Sequence, residues 1–157
     1  MDTNTAMARA WDRRVSLMRV AVSIVRRSQD AEDAVSNAIL QAGCAAGSLR
    51  DERRFDAWLM RILVRCCYDI LRRSRRESPG ELPEQPVFER EGGELWAALR
   101  TLSPPYRRVL ILYYYEGFKA REIASILGVP IGTVLGRLAR GRAKLKDMIA
   151  AEEACTP

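Results

Sequence analysis

Apolar side chains recur every three or four positions along most of this sequence, which is the spacing of amphipathic helices. Between about Thr5 and Arg27 they fall at Trp11, Val15, Met18, Val22 and Val25. This spacing predicts one helix whose buried stripe is made of these five side chains.

Polar residues at 28–30 interrupt that pattern and predict the start of a second helix, from Ala31 to about Ala46. We expect Asp30 to be its N-cap, with Asp33 as the acidic half of a capping box. The residues predicted to face inward are Ala34, Ala38, Ile39 and Ala42.

A charged connector, 47–54, precedes a long helix predicted from about Phe55 to Arg76. Its core positions are Phe55, Trp58, Leu59, Ile62, Leu63, Cys66, Ile70 and Leu71. Trp58 could instead be an exposed platform for a stacked base, but its register with the aliphatic residues favours the core.

Residues 78–86 contain three prolines and a glycine, a composition typical of a linker. Beyond it, a helix is predicted from Glu94 to about Leu102. Ser103 then supplies an N-cap and Pro104 a first helical residue for a helix that continues to about Glu116.

The clearest functional pattern lies between residues 106 and 145. A short helix at 122–127 is followed by a turn at 128–130 and by a helix that begins near Ile131 and becomes basic. This order predicts a helix-turn-helix, whose second helix can enter a DNA major groove. The side chains expected to follow the phosphates are Arg137, Arg140, Arg142, Lys144 and Lys146.

Composition and charge support an all-α fold with a polyanionic partner. The sequence favours strong helix formers and contains few β-branched runs. The net charge is +6, divided as +6 over residues 1–76, −5 over 77–94 and +5 over 95–157. We therefore predict two small helical domains joined by an extended acidic linker, with these three ranges as boundaries, and nucleic acid as a partner.

Other functional classes receive little support. The four cysteines form no CxxC pair and the sequence contains no histidine, so we expect neither a metal site nor a cofactor. It has no clustered nucleophile and base and no glycine-rich phosphate loop, which argues against an enzyme. No apolar run could span a membrane and no signal peptide is recognisable, so we expect a cytoplasmic protein without membrane insertion.

Both halves contain motifs that together are specific to one family. The first half has DAEDAV at 30–35 and FDAWLMRI at 55–62. The second half has LSPPYRR at 102–108, EIA at 122–124, LGVP at 127–130, GTV at 132–134 and RLARGR at 137–142. In this order, around a proline-rich linker, the chain resembles the extracytoplasmic-function (ECF) group of bacterial RNA polymerase sigma factors.

The resemblance implies a division of labour between the two domains. The first would dock on the clamp helices of the polymerase beta-prime subunit and recognise the melted minus-ten element. The second would bind the minus-thirty-five element as duplex and meet the flap of the beta subunit. The expected partners are core RNA polymerase, promoter DNA and, as in many family members, an anti-sigma factor.

The resemblance also implies roles for particular residues in the first domain. The expected polymerase contacts are Asp30, Glu32 and Asp33. A plain helix cap explains these acids as well, and both roles can coexist. The expected contacts to the minus-ten strand are Ser48, Arg50, Arg53, Arg54, Arg61 and Arg65. The basic series on the long helix, which continues to Arg76, favours backbone binding over a merely solvated face.

In the second domain the expected minus-thirty-five contacts are Lys119, Arg121, Thr133, Leu135, Gly136, Arg137 and Arg140. Family members usually have a basic residue and a serine where this chain has Leu135 and Gly136. We therefore expect little base reading by this helix and more dependence on phosphates and DNA shape. The alternative for Arg137 and Arg140 is a solvated helix face.

Two alternative functions remain open at this stage. One is a standalone helix-turn-helix regulator, which would bind duplex operator DNA without polymerase. The other is a sigma-like protein that binds polymerase without productive initiation.

Overall fold

The computed structural model describes residues 1–77 and 93–155, and the regular elements in those ranges are all helical. The chain divides into two compact units, Met1–Val87 and Phe88–Pro157. The predicted all-α architecture with two helical domains is therefore confirmed. None of the described helices is by itself long and apolar enough to cross a membrane.

The predicted acidic linker, 77–94, lies mostly outside the described residues. Glu77 is the last residue of one helix, and Gly93 and Glu94 begin the next. Residues 78–92, which carry most of its acidic side chains, lie outside the described ranges.

In its described part, the first unit contains four α-helices and two short 3₁₀ turns. The helices are α1 (Thr3–Asp12), α2 (Arg14–Ile24), α3 (Ser28–Cys44) and α4 (Phe55–Glu77). The turns are Ala46–Ser48 and Glu52–Arg54, both between α3 and α4. Helix α3 is central because it packs against the other three.

The prediction of a single helix from Thr5 to Arg27 is wrong, because the chain breaks at Arg13. The guanidinium of Arg13 pairs with Asp56 on α4, with 3.0 Å between Nε and Oδ1. The buried stripe also lies on a different side of the helices from the predicted one, so Trp11 is 56% exposed and Val15 65%. The residues buried instead are Ala6, Ala10, Leu17, Val20, Ala21 and Ile24. Val22 and Val25 are buried as predicted.

The start of α3 also differs from the prediction. The helix begins at Ser28, so Asp30 lies inside the first turn and the N-cap is Arg27, without a side-chain capping bond. Asp30 there complements the helix dipole instead of accepting a capping hydrogen bond. Sequence rules commonly place helix ends one or two residues away from where hydrogen bonding puts them. The predicted inward residues are all buried: Ala34, Ala38, Ile39 and Ala42.

Helix α4 presents most of its predicted core residues inward. Phe55, Leu59, Leu63 and Cys66 are buried, and burial raises the pKa of the Cys66 thiol. Ile62, Ile70 and Leu71 are half-buried, as is Trp58. The Trp58 ring lies 5.7 Å from that of Phe55. Trp58 therefore sits at the edge of the core and is neither fully buried nor a free platform.

The second unit is built around one long helix in its described part. Its helices are α5 (Gly93–Thr101), α6 (Pro104–Leu110), α7 (Ala120–Leu127) and α8 (Ile131–Cys155). Helix α8 packs against the other three. The fully buried side chains include Leu99, Leu110, Ile111, Ile123 and Val134.

The predicted helix from Pro104 to Glu116 changes type partway. The α-helix ends at Leu110, and a π-helical turn covers Ile111–Tyr115, closed by the bond from the Glu116 amide to the Ile111 carbonyl (3.1 Å). The wider turn directs Tyr113 and Tyr114 to solvent. Tyr115 is half-buried and packs edge-on against Trp96, with ring centroids 4.9 Å apart.

A buried arginine closes the junction between α5 and α6. Arg107 is 4% exposed, and its Nη1 donates to the Leu102 carbonyl over 3.0 Å. Desolvation, and secondarily the charge of Arg108, lower the pKa of Arg107 to about 10. The hydrogen bond supplies a donor to a carbonyl just past the end of α5, where no further helical turn can do so.

Candidate nucleic-acid interface

Helices α7 and α8 form the predicted helix-turn-helix. Their axes differ by 109°. Gly128 between them has φ 68°, and the Val129 amide donates to the Ala124 carbonyl at 3.1 Å. Glycine adopts this left-handed conformation without steric cost, which explains its place in the turn. Val134 and Ile123 are buried where the helices meet.

The start of α7 uses half of a capping box. Lys119 is the N-cap residue, and its backbone amide donates to Glu122 Oε1 over 3.0 Å. A lysine ammonium has no acceptor, so the reciprocal bond to the helix amides is not made. The side chains of Lys119 and Arg121 are exposed and extend from the supporting helix towards solvent.

The start of α8 offers backbone amides to an anion. The Thr133 amide donates to the Pro130 carbonyl at 3.0 Å. The amides of Ile131 and Gly132 precede it in the first turn, where a helix provides no carbonyl acceptor. Gly132 is exposed, and a Cβ built there meets no heavy atom within 4 Å. A DNA backbone could therefore approach closely at this point.

The outward face of α8 carries the predicted base-reading positions. At 100° per residue, Gly132, Gly136 and Arg140 lie opposite the buried stripe that contains Val134 and Leu138. Arg140 is exposed and Arg137 is half-buried. Leu135, on the flank of this face, is 53% exposed.

Two basic residues beyond Arg140 make contacts within the unit. Arg142 Nε donates to Tyr114 Oη over 2.5 Å, and its guanidinium lies 5.4 Å from the Tyr113 ring centroid. Lys144 Nζ lies 5.5 Å from the ring of Tyr106. Arg142 and Lys144 therefore lie on opposite edges of the buried face of α8, Arg142 next to the π-turn and Lys144 next to α6. The sequence pattern predicted phosphate contacts for both and did not predict their tyrosine partners.

In the first unit, the predicted minus-ten residues occupy the two 3₁₀ turns and the exposed face of α4. Ser48 ends the first turn, and its hydroxyl donates to the Ala45 carbonyl over 2.7 Å. Arg50 is exposed between the turns. On α4, Arg61 and Arg65 are exposed one helical turn apart, so their side chains share a face.

Asp51 organises the second turn and was not among the predicted site residues. Its carboxylate accepts the Arg53 amide and Arg53 Nε, each over 3.1 Å, and lies 3.9 Å from Arg54 Nε. The side-chain hydrogen bond from Arg53 is the main cause of a lowered pKa of Asp51. Two arginines predicted to bind the strand thus share one carboxylate. The spacing of an aspartate two residues before an arginine is the sequence signal for this arrangement.

We predict that Asp51→Asn strengthens binding of the single-stranded minus-ten strand by the polymerase-bound protein, by about two- to fivefold. Asparagine keeps an oxygen for the Arg53 amide but removes the charge that competes with phosphate. The measurement is titration with a labelled single-stranded oligonucleotide. Asp12→Asn is the matched control, since it removes the same charge at an exposed position at the end of α1. Weaker binding by Asp51→Asn would mean that Asp51 orients Arg53 for the strand.

The predicted polymerase contacts lie on α3. Glu32 and Asp33 are exposed and Asp30 is half-buried. Asp33 Oδ1 accepts from Gln29 Nε2 at 3.1 Å. Since the helix begins at Ser28, neither Glu32 nor Asp33 is needed to cap it. Their carboxylates therefore remain accessible to a basic partner surface.

Comparison with known proteins assigns both units to one family. The sequence matches Sigma-70 region 2 over residues 5–77 and Sigma-70, region 4 over residues 92–145. The first match covers α2, α3, α4 and most of α1, and the second includes the helix-turn-helix.

Similar proteins agree with this assignment. The ECF RNA polymerase sigma factor SigM of Mycobacterium tuberculosis is 35% identical over 139 residues, which cover 85% of this chain and 71% of SigM. The RNA polymerase sigma-E factor of Streptomyces coelicolor is 30% identical over 148 residues, covering 90% of this chain and 84% of that protein.

A solved structure gives the same result. The sigma factor RpoE of Bartonella quintana, in complex with the anti-sigma factor NepR, aligns with a TM-score of 0.74 and 26% identity. The alignment covers 87% of this chain and 91% of RpoE. The chain therefore belongs to the extracytoplasmic-function family of bacterial RNA polymerase sigma factors, and it directs core RNA polymerase to promoters at transcription initiation.

Proposed function

We propose that the chain grips a promoter at two points through the residues described above. The second unit binds the minus-thirty-five duplex with α8 in the major groove. The first unit holds core polymerase through α3 and the melted minus-ten strand through the 3₁₀ turns and α4. The helix-turn-helix carries this proposal. The outward face of its recognition helix has exposed side chains, and the first backbone amides of that helix can reach an anion.

Support for the duplex contact comes from how that face is built. The recognition helix presents Leu135 and Arg140 to solvent, and open backbone amides lie at its start. Lys119 and Arg121 are exposed at the start of the supporting helix. Helix-turn-helix proteins commonly use the recognition helix for base edges and the supporting helix for the DNA backbone.

Support for the strand contact comes from charge and exposure in the first unit. Arg50, Arg61 and Arg65 are exposed cations on adjacent elements. Arg53 and Arg54 share Asp51 and can exchange it for a phosphate. Single-stranded DNA is held chiefly by such phosphate contacts together with stacked bases.

The family also suggests a regulatory partner and a cellular setting. RpoE was solved with the anti-sigma factor NepR, and we propose that a protein of that class binds and restrains this chain as well. The chain performs no catalysis in this scheme, because the polymerase supplies the chemistry, and it acts in the cytoplasm where the polymerase is found.

We expect Arg140→Ala to weaken promoter binding about tenfold or more while leaving the affinity for core polymerase unchanged. Promoter binding is measured with the polymerase-bound protein on a duplex that includes both elements. The matched control is Arg100→Ala, an exposed arginine of α5 outside the helix-turn-helix. Equal loss of polymerase and promoter binding by Arg140→Ala would show that the DNA face has been misassigned.

A further inference from the structure

Gly136 leaves a space on the outward face of α8, and the Arg140 side chain lies over it. A Cβ built at Gly136 would lie 3.0 Å from Arg140 Nη2 and 3.7 Å from its Cζ. At Gly132, one turn earlier on the same face, a Cβ would meet nothing within 4 Å. Of these two glycines, only Gly136 therefore has the end of a side chain, that of Arg140, lying close to it.

The direction of the Arg140 side chain follows from helix geometry. Side chains on an α-helix lean towards its N-terminus and cover the turn that precedes their own Cα. Arg140 consequently covers the turn that contains Gly136, and the missing side chain lets the guanidinium lie close to the backbone there. Arg140 is exposed, and among the residues that the structure describes no carboxylate pairs with it.

We propose that Gly136 is a specificity-determining position that places the Arg140 guanidinium in the base-reading part of the recognition helix, where it binds a guanine. This inference rests on the proposed function, in which α8 enters the major groove. Arginine can donate to O6 and N7 of guanine together, and this pair of bonds distinguishes guanine from the other bases. Leu135, which precedes Gly136 and is exposed on the flank of this face, suits the methyl group of a thymine.

The position of Arg140 over Gly136 reverses what the sequence alone suggests about this helix. A glycine at position 136 offers no side chain to DNA, and little base reading was expected there. The structure supplies the missing group from Arg140, one turn later. Gly136 then acts because it has no side chain, and its effect on base recognition depends on Arg140.

A substitution at Gly136 separates an effect on base recognition from an effect on the stability of the fold. Gly136→Ala should fold normally, because the position is on the outward face and alanine is the better helix former. Its Cβ would push the flexible end of Arg140 away by a few tenths of an ångström, since 3.0 Å is tighter than an ordinary van der Waals contact. We therefore expect an unchanged or slightly raised unfolding midpoint together with a weaker preference for guanine.

The experiment uses the full chain bound to core polymerase and a promoter library with a randomised minus-thirty-five element. Sequencing of the bound promoters gives the base preference at each position. We expect a guanine preference at one position, reduced about tenfold by Arg140→Ala and severalfold by Gly136→Ala. Lys119→Ala is the matched control for a phosphate contact and should lower binding to all sequences equally.

Three results would overturn parts of the account in distinguishable ways. Uniform loss across the library with Arg140→Ala would make Arg140 a phosphate contact and refute the inference. A guanine preference that persists unchanged in Gly136→Ala would show that the space at position 136 has no role. A wild-type protein with no preference anywhere in the element would refute the proposed duplex contact itself.

Discussion

Replacing Gly141 by leucine is expected to unfold the second unit, at a cost of about 3 kcal/mol or more. Gly141 is buried where α8 crosses α6, and a Cβ there would lie 3.0 Å from Leu110 Cδ1 and 3.4 Å from Tyr106 Cβ. Leu110 is itself fully buried, so it has no free space to move into. A leucine must therefore separate the two helices that hold the helix-turn-helix in place.

Hydrogen exchange of the full chain, resolved by segment, measures this effect. Amides of α6 and α8 should lose protection in Gly141→Leu, while those of α3 and α4 keep theirs. Gly132→Ala is the matched control, because a Cβ at that exposed position of the same helix meets nothing. Full protection of α8 in Gly141→Leu would contradict the close packing described for this crossing.

Reversing the charge of Asp33 should weaken binding to core polymerase about tenfold or more. Asp33 is exposed on α3 and lies beyond the first helical turn, so its carboxylate contributes little to the start of the helix. Asp33→Arg would replace attraction to a basic docking surface by repulsion, and like charges facing each other cost several kcal/mol when desolvated. The measurement is a binding isotherm of the labelled protein with core polymerase.

The control for Asp33→Arg is Asp12→Arg, which makes the same change of charge at another exposed position of the first unit. It should retain the affinity of the wild-type protein. If both variants lose affinity equally, the effect reflects net charge, and Asp33 is not a specific contact. An unchanged affinity in Asp33→Arg would remove α3 from the proposed docking surface.

Much of this fold is predictable because its signals are local. The buried alanines of α3 and the stripe led by Phe55 on α4 follow from helical spacing. The helix-turn-helix follows from Gly128, whose positive φ requires a glycine in that short turn. Pro104 marks the start of α6 for an equally local reason.

The remaining features depend on partners far away in the sequence. The break between α1 and α2 is accompanied by the pair of Arg13 with Asp56, 43 residues later. Arg142 turns to Tyr114, 28 residues earlier, and the π-turn that exposes this tyrosine has no recognised sequence signal. Periodicity reports which side of one helix is apolar, and it does not report which distant side chain that helix will meet.

The candidate site also divides into features that local sequence predicts and features that depend on neighbouring side chains. Residue type and spacing identify the exposed cations, such as Arg61 and Arg140, because a cation on the outward face of a helix is a local property. Asp51 was not identified as part of the site, and Gly136 was named there but was expected to contribute little to base reading. Their importance depends on where the neighbouring arginine side chains lie, and that is set by rotamers and packing.

The claim of a two-point grip is tested most directly by transcription of genomic DNA fragments with core polymerase, in the presence and absence of the chain, followed by mapping of the start sites. We predict start sites that require the chain and share two upstream sequence elements at a constant spacing. Chain-dependent starts that share only one element, or no chain-dependent starts, would contradict it.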